Sequence, residues 1–132
     1  MAGSHEEAVR IVYDGWARGD FRAGLDVFDP DVEFVMGRGF PEAGTYRGTE
    51  ELARYTRGFL EPWSQVAIEL EDLVSAGDNL LAAVRQHGVG GGSGAATDFR
   101  YFQVWTFRDG RVFRLENFRE RAAAAAAAGL EA

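Results

Sequence analysis

Apolar residues at the start of the chain recur at helical spacing. Over residues 5–18 they fall three or four positions apart, which predicts an amphipathic helix. A second, shorter helix is predicted to begin after Asp20, a residue that can cap it, and to end at Pro30. Residues 32–36 then alternate along the chain, and this pattern predicts a short strand.

A glycine-rich loop is predicted between this strand and a third helix. Residues 37–48 contain four glycines and one proline, so they favour irregular structure. Thr49 is predicted as the N-cap of the helix, because Glu50 and Glu51 follow it in the first turn and suit the helix dipole. Pro62 is predicted to end this helix.

Beyond residue 66 the apolar period changes from helical to two. Alternation indicates strands over residues 66–71 and 80–88. Residues 99–107 are rich in β-prone side chains and apolar on both faces. Asp109-Gly110 is predicted to turn the chain sharply into a last strand over 112–118, because this pair tolerates positive φ angles.

The order of these elements predicts an α+β fold. A last helix is predicted from Arg119 through seven consecutive alanines, with Gly129 ending it and Leu130 as its apolar partner. Helices are thus segregated from a meander of antiparallel strands. No linker divides the chain, which predicts one domain over residues 1–132, with Met1–His5 disordered or a tag remnant.

Composition excludes several classes of function. The chain of 132 residues has no cysteine, a net charge of −7 and 14 basic residues, all of them arginines scattered among acids. Thiolate chemistry and cysteine-based zinc sites are thereby excluded, and no basic stripe is available for nucleic acid or an anionic membrane. No apolar run approaches membrane-spanning length and no signal peptide is evident, so a cytoplasmic protein is predicted.

Six segments occur in a characteristic order: Tyr13–Trp16 with Gly19–Asp20, Phe28–Phe34, Gly44–Gly48, Ser93–Ala95, Val104–Val112 and Arg119–Leu130. In this order they resemble the SnoaL-like branch of the nuclear transport factor 2-like superfamily. The resemblance implies a cone, in which a curved antiparallel sheet packs on N-terminal helices and encloses an apolar pocket. Relatives include ketosteroid isomerases, limonene epoxide hydrolases and polyketide cyclases as well as non-catalytic proteins, so function has to be argued from the site.

Arg85, His87 and Glu116 form the first candidate for chemistry. Arg85 and His87 are two apart on one predicted strand and share a face. Alignment with the Asp–Arg–Asp set of limonene epoxide hydrolases places Arg85 on the arginine, with His87 and Glu116 replacing the aspartates. We therefore predict Glu116 as base, Arg85 as its electrostatic tuner and His87 as acid or water-positioning group. The alternative is an ionic cluster without catalytic role.

The ketosteroid isomerase mechanism is not predicted. By the same resemblance, Met36 stands where that family has its catalytic base, and Gln103 stands where it has a protonated aspartic acid. Tyr13 lies one residue away from the catalytic tyrosine's position. Gln103 is nevertheless able to donate a hydrogen bond to a ligand carbonyl.

Aromatic residues are numerous on the faces predicted to line the cone. Their number suggests a pocket for a flat or polycyclic apolar molecule, although each of them is also explained as ordinary core. With the non-aromatic residues Met36 and Gln103 added, the predicted substrate-binding set is Tyr13, Trp16, Phe34, Met36, Tyr55, Phe59, Trp63, Tyr101, Gln103, Trp105 and Phe118. Phe99 is on the same predicted face.

Two further features concern the glycine-rich segment and the outer sheet face. Gly88–Gly94 has no following helix and no lysine, so a flap or strand bulge is predicted rather than a phosphate site. If Tyr101 and Gln103 face the pocket, Phe102 and Val104 face outward, which predicts a homodimer through that face.

The combined prediction is an enzyme that needs no metal or organic cofactor. It would use acid–base chemistry on an apolar, polycyclic or terpenoid-like substrate, as an isomerase, cyclase, dehydratase or epoxide hydrolase. The alternative is a non-catalytic module of the same fold that binds a hydrophobic ligand or dimerises.

Overall fold

The computed structural model describes residues 2–40 and 43–130 and has the predicted α+β architecture. Three helices pack on one six-stranded sheet with strand order β2-β1-β6-β5-β4-β3. The β1–β6 pair is parallel and every other pair is antiparallel. The elements are α1 Ala2–Ala17, β1 Phe28–Met36, β2 Gly44–Arg47, α2 Gly48–Leu60, β3 Trp63–Ala76, β4 Asn79–Gly90, β5 Ala96–Arg108, β6 Arg111–Phe118 and α3 Arg121–Ala128.

Three local predictions are wrong. Thr49 does not cap α2, because the helix begins at Gly48 and Arg47 is at the N-cap position. The helix expected after Asp20 is a series of turns ending in a short 3-10 turn at Leu25–Val27, because Gly24 adopts a left-handed φ of 74° that interrupts a helix. The loop expected over residues 37–48 contains β2, a four-residue edge strand whose single large apolar residue gives no alternation to detect. Residues 2–5 belong to α1, whereas Met1 lies outside the described residues.

Two chain reversals follow the sequence closely. Asp109 and Gly110 both have positive φ angles, 53° and 80°, as a tight hairpin turn between β5 and β6 requires. Gly129 ends α3 with a φ of 81°, and the Leu130 amide donates to the carbonyl of Ala125 over 2.8 Å. This closing bond is the Schellman pattern predicted for the glycine.

The sheet has an inner face and an outer face with different roles. The inner face packs against α1 and α2 and carries Val84, Tyr101 and Trp105, which belong to the main core. Alternation sends neighbouring residues of the same strands to the outer face. There α3 packs its alanine methyl groups on a second, smaller core containing Leu81 and Val104.

The outer face is therefore covered by the chain itself where a partner surface was predicted. Val104 is only 1% exposed, and it packs with Phe102 against the α3 residues Ala124 and Ala128. Val104 is thereby withdrawn from solvent, whereas Phe102 stays partly exposed beside α3. The homodimer itself stays a prediction.

Glu33 joins three strands and makes stability depend on pH. Its carboxylate bridges Arg47 on β2 and Arg114 on β6, with Oε1 accepting a bond of 2.8 Å from Arg114. Hydrogen bonding from Arg114 is the main cause that lowers the pKa of Glu33. A lowered pKa means that the carboxylate stabilises the fold above about pH 4.3, its unfolded-state value, and that this contribution disappears as pH falls through the folded pKa.

Glu33→Gln is accordingly expected to lower the free energy of unfolding at pH 7 by about 1 kcal/mol, with the difference shrinking as pH falls below about 4.3. Urea denaturation of both proteins across pH 3–8 measures it. Glu61→Gln, at an exposed position after α2, is the matched control. A difference that persists unchanged to pH 3 would contradict the ionic explanation.

No helix among the described residues is long and apolar enough to cross a membrane.

Candidate functional site

A cavity of about 360 Å³ lies between the inner face of the sheet and the helices. Its wall is mainly aromatic, and the side chains that form it come from α1, the 20–28 turns, α2 and five strands. The lining residues are Trp16, Phe21, Ala23, Leu25, Phe28, Phe34, Met36, Phe40, Leu52, Tyr55, Thr56, Gly58, Phe59, Pro62, Trp63, Ile68, Gln86, Phe99, Tyr101, Gln103, Leu115 and Asn117. A volume of this size suits a small organic molecule.

A chain of neutral hydrogen bonds lies beneath this cavity. The Trp105 Nε1–H donates to Tyr13 Oη over 2.7 Å, and Tyr13 Oη donates to Gln103 Oε1 over 2.5 Å. Gln103 Nε2 then donates to Asn117 Oδ1 over 2.9 Å, and Asn117 Nδ2 donates to the Val35 carbonyl over 3.1 Å. The chain links α1, β5, β6 and β1, so it fixes the polar floor of the cavity.

A second polar position is formed on β4. Tyr101 Oη donates to Gln86 Oε1 over 3.0 Å, and both residues line the cavity. Burial raises the pKa of Tyr101, and burial is also the main cause that raises the pKa of Tyr13 well above its ordinary value. Both phenols therefore remain protonated at neutral pH and act as hydrogen-bond donors rather than as bases.

Most of the predicted substrate-binding set does line the cavity. Those that do are Trp16, Phe34, Met36, Tyr55, Phe59, Trp63, Tyr101 and Gln103. Tyr13 and Trp105 stand one layer behind the wall. Tyr13 donates to the lining residue Gln103, and both rings contact the lining residue Trp16. Phe118 is on the opposite side of the sheet, packed in the smaller core with α3, because β6 turns the side chain after Asn117 outward.

Several lining residues were not predicted as ligand-binding. Gln86 and Asn117 escape sequence reasoning because a single amide in a strand gives no sign of its face. Their alternation with the outward residues Arg85 and Glu116 is the signal that could have found them. Phe21, Phe28 and Phe40 lie in or beside turns, where periodicity gives no guide to orientation.

Arg85, His87 and Glu116 are not brought together at the cavity. Arg85 and His87 do share a face of β4, as predicted, but it is the outer face, since the inner positions are Val84 and Gln86. Glu116 is also on the outer face, opposite Val104, whereas Arg85 is opposite Arg100 further along β5. Arg85 and His87 both pair with Glu69, whereas Glu116 has a different ionic partner, and none of the three lines the cavity.

The partners of Arg85 and His87 form a ladder of ion pairs on the outer face. His87 Nε2 lies 3.0 Å from Glu69 Oε2, and the Arg85 guanidinium binds Asp98 across the β4–β5 pair. The hydrogen bond from Arg85 holds the pKa of Asp98 below its ordinary value. Glu116 lies 3.8 Å from Arg114 instead. These pairs are half-exposed, which is typical of the solvated side of a sheet.

The glycine-rich segment closes the β4–β5 hairpin beside the cavity. The Gly91 amide donates to the Pro62 carbonyl over 2.8 Å, so the hairpin is attached to the start of β3. Gly88 lies under the Trp63 ring, where a Cβ would stand 2.6 Å from the Gln65 carbonyl oxygen and 2.9 Å from Trp63. Glycine is thus required for the strand to approach so closely.

Gly88→Ala is expected to move Trp63 and to destabilise the protein by about 1–2 kcal/mol, the usual cost of overpacking. Gly92→Ala, where an added Cβ would meet no atom within 4 Å, is the matched control. Thermal unfolding measures the loss, and the emission maximum of the tryptophans reports the displacement. Equal stability of the two variants would disprove this explanation of Gly88.

Among the described residues, no group of three or more His, Asp or Glu side chains is placed to hold a metal ion. The lining residues of the cavity carry no charge at neutral pH over the described part of the chain. What the site offers chemically is therefore apolar contact together with neutral hydrogen bonds.

A comparison with protein families identifies one match. The family model described as a SnoaL-like domain matches residues 9–115, which cover the second half of α1, all of α2 and most of the sheet. No curated protein matches the chain in sequence.

Solved structures of similar fold cover almost the whole chain. An NTF2-like protein from Burkholderia thailandensis has a TM-score of 0.75 and 28% identity, covering 95% of this chain and 96% of its own. A putative SnoaL-like polyketide cyclase from Jannaschia has a TM-score of 0.77 and 18% identity, covering 99% and 95%. TerC, crystallised with polyporic acid, has a TM-score of 0.77 and 21% identity, covering 91% and 94%.

Proposed function

Because the chain belongs to the SnoaL-like domain family, whose members share a fold but not a reaction, we propose a function from its cavity: it binds a flat, apolar, polycyclic small molecule. One observation carries this proposal. The cavity of about 360 Å³ is walled by aromatic rings and contains polar groups only at a few fixed positions. Such a composition favours a ring system held by apolar contact and oriented by a small number of hydrogen bonds.

The mouth of the cavity also suits an apolar ligand. Leu25 is 53% exposed and yet lines the cavity, so it presents an apolar edge to solvent. Three partly buried lining rings form a series of contacts: Phe59 meets Phe21 edge-on at 5.8 Å and Trp63 in a tilted arrangement at 6.5 Å. A bound ring system would add contacts to this series, and burying its surface would provide most of the binding free energy.

A second candidate is an enzyme that acts on the bound molecule. It is favoured by the similarity to the putative polyketide cyclase and by the amide N–H groups on the cavity floor, which can polarise a carbonyl group. In this candidate Gln103 and Asn117 stabilise developing negative charge on oxygen. Isomerisation or cyclisation through an enol would be compatible with such groups, whereas epoxide opening by Arg85, His87 and Glu116 would not use the cavity.

Binding is tested by closing the cavity with one substitution. Gly58 lines the cavity from α2, and a Cβ added there would meet no atom within 4 Å. Gly58→Trp is expected to fill the space and to weaken the binding of anthracene, the probe, at least tenfold. Ala53→Trp, on the exposed side of the same helix, is the matched control and should bind as the wild type does. Equal weak binding by all three proteins would refute the proposal.

Catalysis is tested on the molecule that the protein itself selects. The protein is purified from cells, any small molecule is extracted, and the molecule is identified by mass spectrometry before and after incubation with fresh enzyme. Conversion by the wild type and not by Gly58→Trp would establish the enzyme. Glu116→Gln is expected to convert it at the wild-type rate, and a loss of more than tenfold would restore Glu116 as base.

A further inference from the structure

Arg119 continues the row of cavity-lining side chains on β6. Leu115 and Asn117 both line the cavity, so alternation places Arg119, two positions further on, at the same side of the sheet. The contacts agree with this placement. The guanidinium carbon lies 5.8 Å from the centre of the Phe40 ring and 6.0 Å from the centre of the Phe99 ring, and both rings line the cavity. Arg119 therefore stands just outside the wall at one end of the cavity.

The turn after β1 fixes the position of this guanidinium. Arg119 Nη1 donates to the Gly39 carbonyl over 2.9 Å. Gly39 has a φ of 92°, and a Cβ added there would stand 2.9 Å from Arg119 Cγ, so a glycine is required beneath the arginine stem. The turn is itself attached to β6, since the Gly37 amide donates to the Asn117 carbonyl over 3.1 Å. The charge is thus held at one place relative to the cavity.

Most of the hydrogen-bonding capacity of Arg119 is unused. A guanidinium has five N–H groups, and the bond to Gly39 uses one of them. The described residues provide no carboxylate within ion-pair distance, the neighbouring Glu120 included. A planar fork of donors with a full positive charge is therefore free to bind an anion at this end.

The contact with the cavity wall distinguishes Arg119 from other arginines that lie over aromatic rings. Arg108 lies over Phe113 and Arg121 lies over Phe102. Neither of those two rings lines the cavity. Over the described part of the chain, Arg119 is the arginine whose guanidinium meets the rings of the binding site.

A charged group on a ligand is favourable only at this end of the cavity. The lining residues in the described ranges carry no charge at neutral pH, so a ligand ion elsewhere in the cavity would lose its hydration without gaining an ionic partner. A carboxylate beside Arg119 would gain one, because a guanidinium binds two oxygens in parallel through charge-assisted hydrogen bonds. An ammonium group at the same place would be repelled. This end of the cavity therefore favours negative charge.

On the basis of the ligand-binding function proposed above, we infer that Arg119 is a specificity-determining residue and that the ligand is a ring system with one carboxylate at the edge facing Phe40 and Phe99. The guanidinium binds the carboxylate while the aromatic wall packs on the rings. The selection is made at the end of the cavity and does not involve the amides of its floor.

The test compares three molecules with one ring skeleton and different charge. Anthracene, anthracene-2-carboxylate and anthracen-2-ylmethylammonium are titrated into the protein, with quenching of tryptophan fluorescence as the signal. We expect the carboxylate to bind at least tenfold more tightly than anthracene, and the ammonium compound no more tightly than anthracene. A carboxylate that binds no better than anthracene, or no better than the ammonium compound, would overturn the inference and leave the proposed function standing. No binding of any probe would overturn both.

Variants locate the effect in Arg119. Arg119→Met keeps an unbranched apolar stem and removes the charge, so it is expected to bind the carboxylate about tenfold more weakly and anthracene unchanged. Arg111→Met, at an exposed position at the other end of β6, removes the same net charge and should keep the wild-type preference.

A second variant protects the test against loosening of the turn. Arg119→Gln also removes the charge, but its amide is still able to donate to the Gly39 carbonyl, and the same loss of preference is expected. If either folded Arg119 variant keeps the wild-type preference for the carboxylate, or if Arg111→Met loses it equally, the carboxylate is not bound by Arg119 and the inference fails.

Discussion

Trp105→Ala is expected to lower the free energy of unfolding by about 3–5 kcal/mol, the largest effect of any single substitution considered. The indole is 0% exposed and lies 5.5 Å from the Tyr13 ring, 5.8 Å from Trp16 and 5.9 Å from Phe28. Truncation removes these contacts, opens a void and deletes the donor that begins the hydrogen-bond chain. A small domain is stabilised by only about 5–15 kcal/mol, so much of its stability would be lost.

Urea denaturation monitored by circular dichroism measures this loss. Trp63→Ala is the control, since Trp63 is half-buried at the cavity wall and its removal leaves more open space than void. It is expected to cost less than half as much. If Trp63→Ala proves the more harmful substitution, the core is not centred on Trp105.

Gln103→Leu is expected to cost about 2–4 kcal/mol, although leucine fits the volume well. The substitution leaves the Tyr13 hydroxyl without an acceptor and Asn117 Oδ1 without a donor, both in almost completely buried positions. Each buried polar group without a partner costs about 1–3 kcal/mol. Gln65→Leu, at an exposed position on β3, should change stability by less than about 0.5 kcal/mol.

A double-mutant cycle separates this explanation from simple packing. Tyr13→Phe removes the hydroxyl that Gln103→Leu would orphan, so the two substitutions together should cost clearly less than the sum of the two. Thermal and urea unfolding of the four proteins give the coupling energy. Strict additivity would mean that Tyr13 and Gln103 do not act as one network.

The sequence predicts the fold well because the strands of this protein alternate and its turns use distinctive residues. The β5–β6 hairpin and the end of α3 both need positive φ angles, which few residues adopt. Asp109-Gly110 and Gly129 supply these angles, so their positions in the sequence indicate where the chain turns. The resemblance to SnoaL-like proteins adds the order of the elements. The edge strand β2 could not be predicted, because its pairing with β1 and not a local pattern holds it. The turns after Asp20 could not be predicted, because a glycine such as Gly24 permits a left-handed φ without requiring it.

The candidate site was predictable in part, and the reason lies in β4. Alternation correctly places Arg85 and His87 on a common face of β4. A strand with apolar residues on both of its faces does not, however, reveal which face meets the core. Leu81 and Leu80 point to opposite sides and both are buried, one beneath α3 and the other in the main core. The short alanine helix is what buries the second side, and its destination on the sheet is a long-range property.

The two-sided sheet also determines which parts of the protein can be changed independently. Substitutions on the outer ladder around Asp98 and substitutions on the cavity floor around Asn117 share no partner and are separated by the sheet. Their effects on stability should therefore add to within about 0.5 kcal/mol. Surface charge can then be redesigned on one side, for solubility or attachment, while ligand preference is evolved separately on the other.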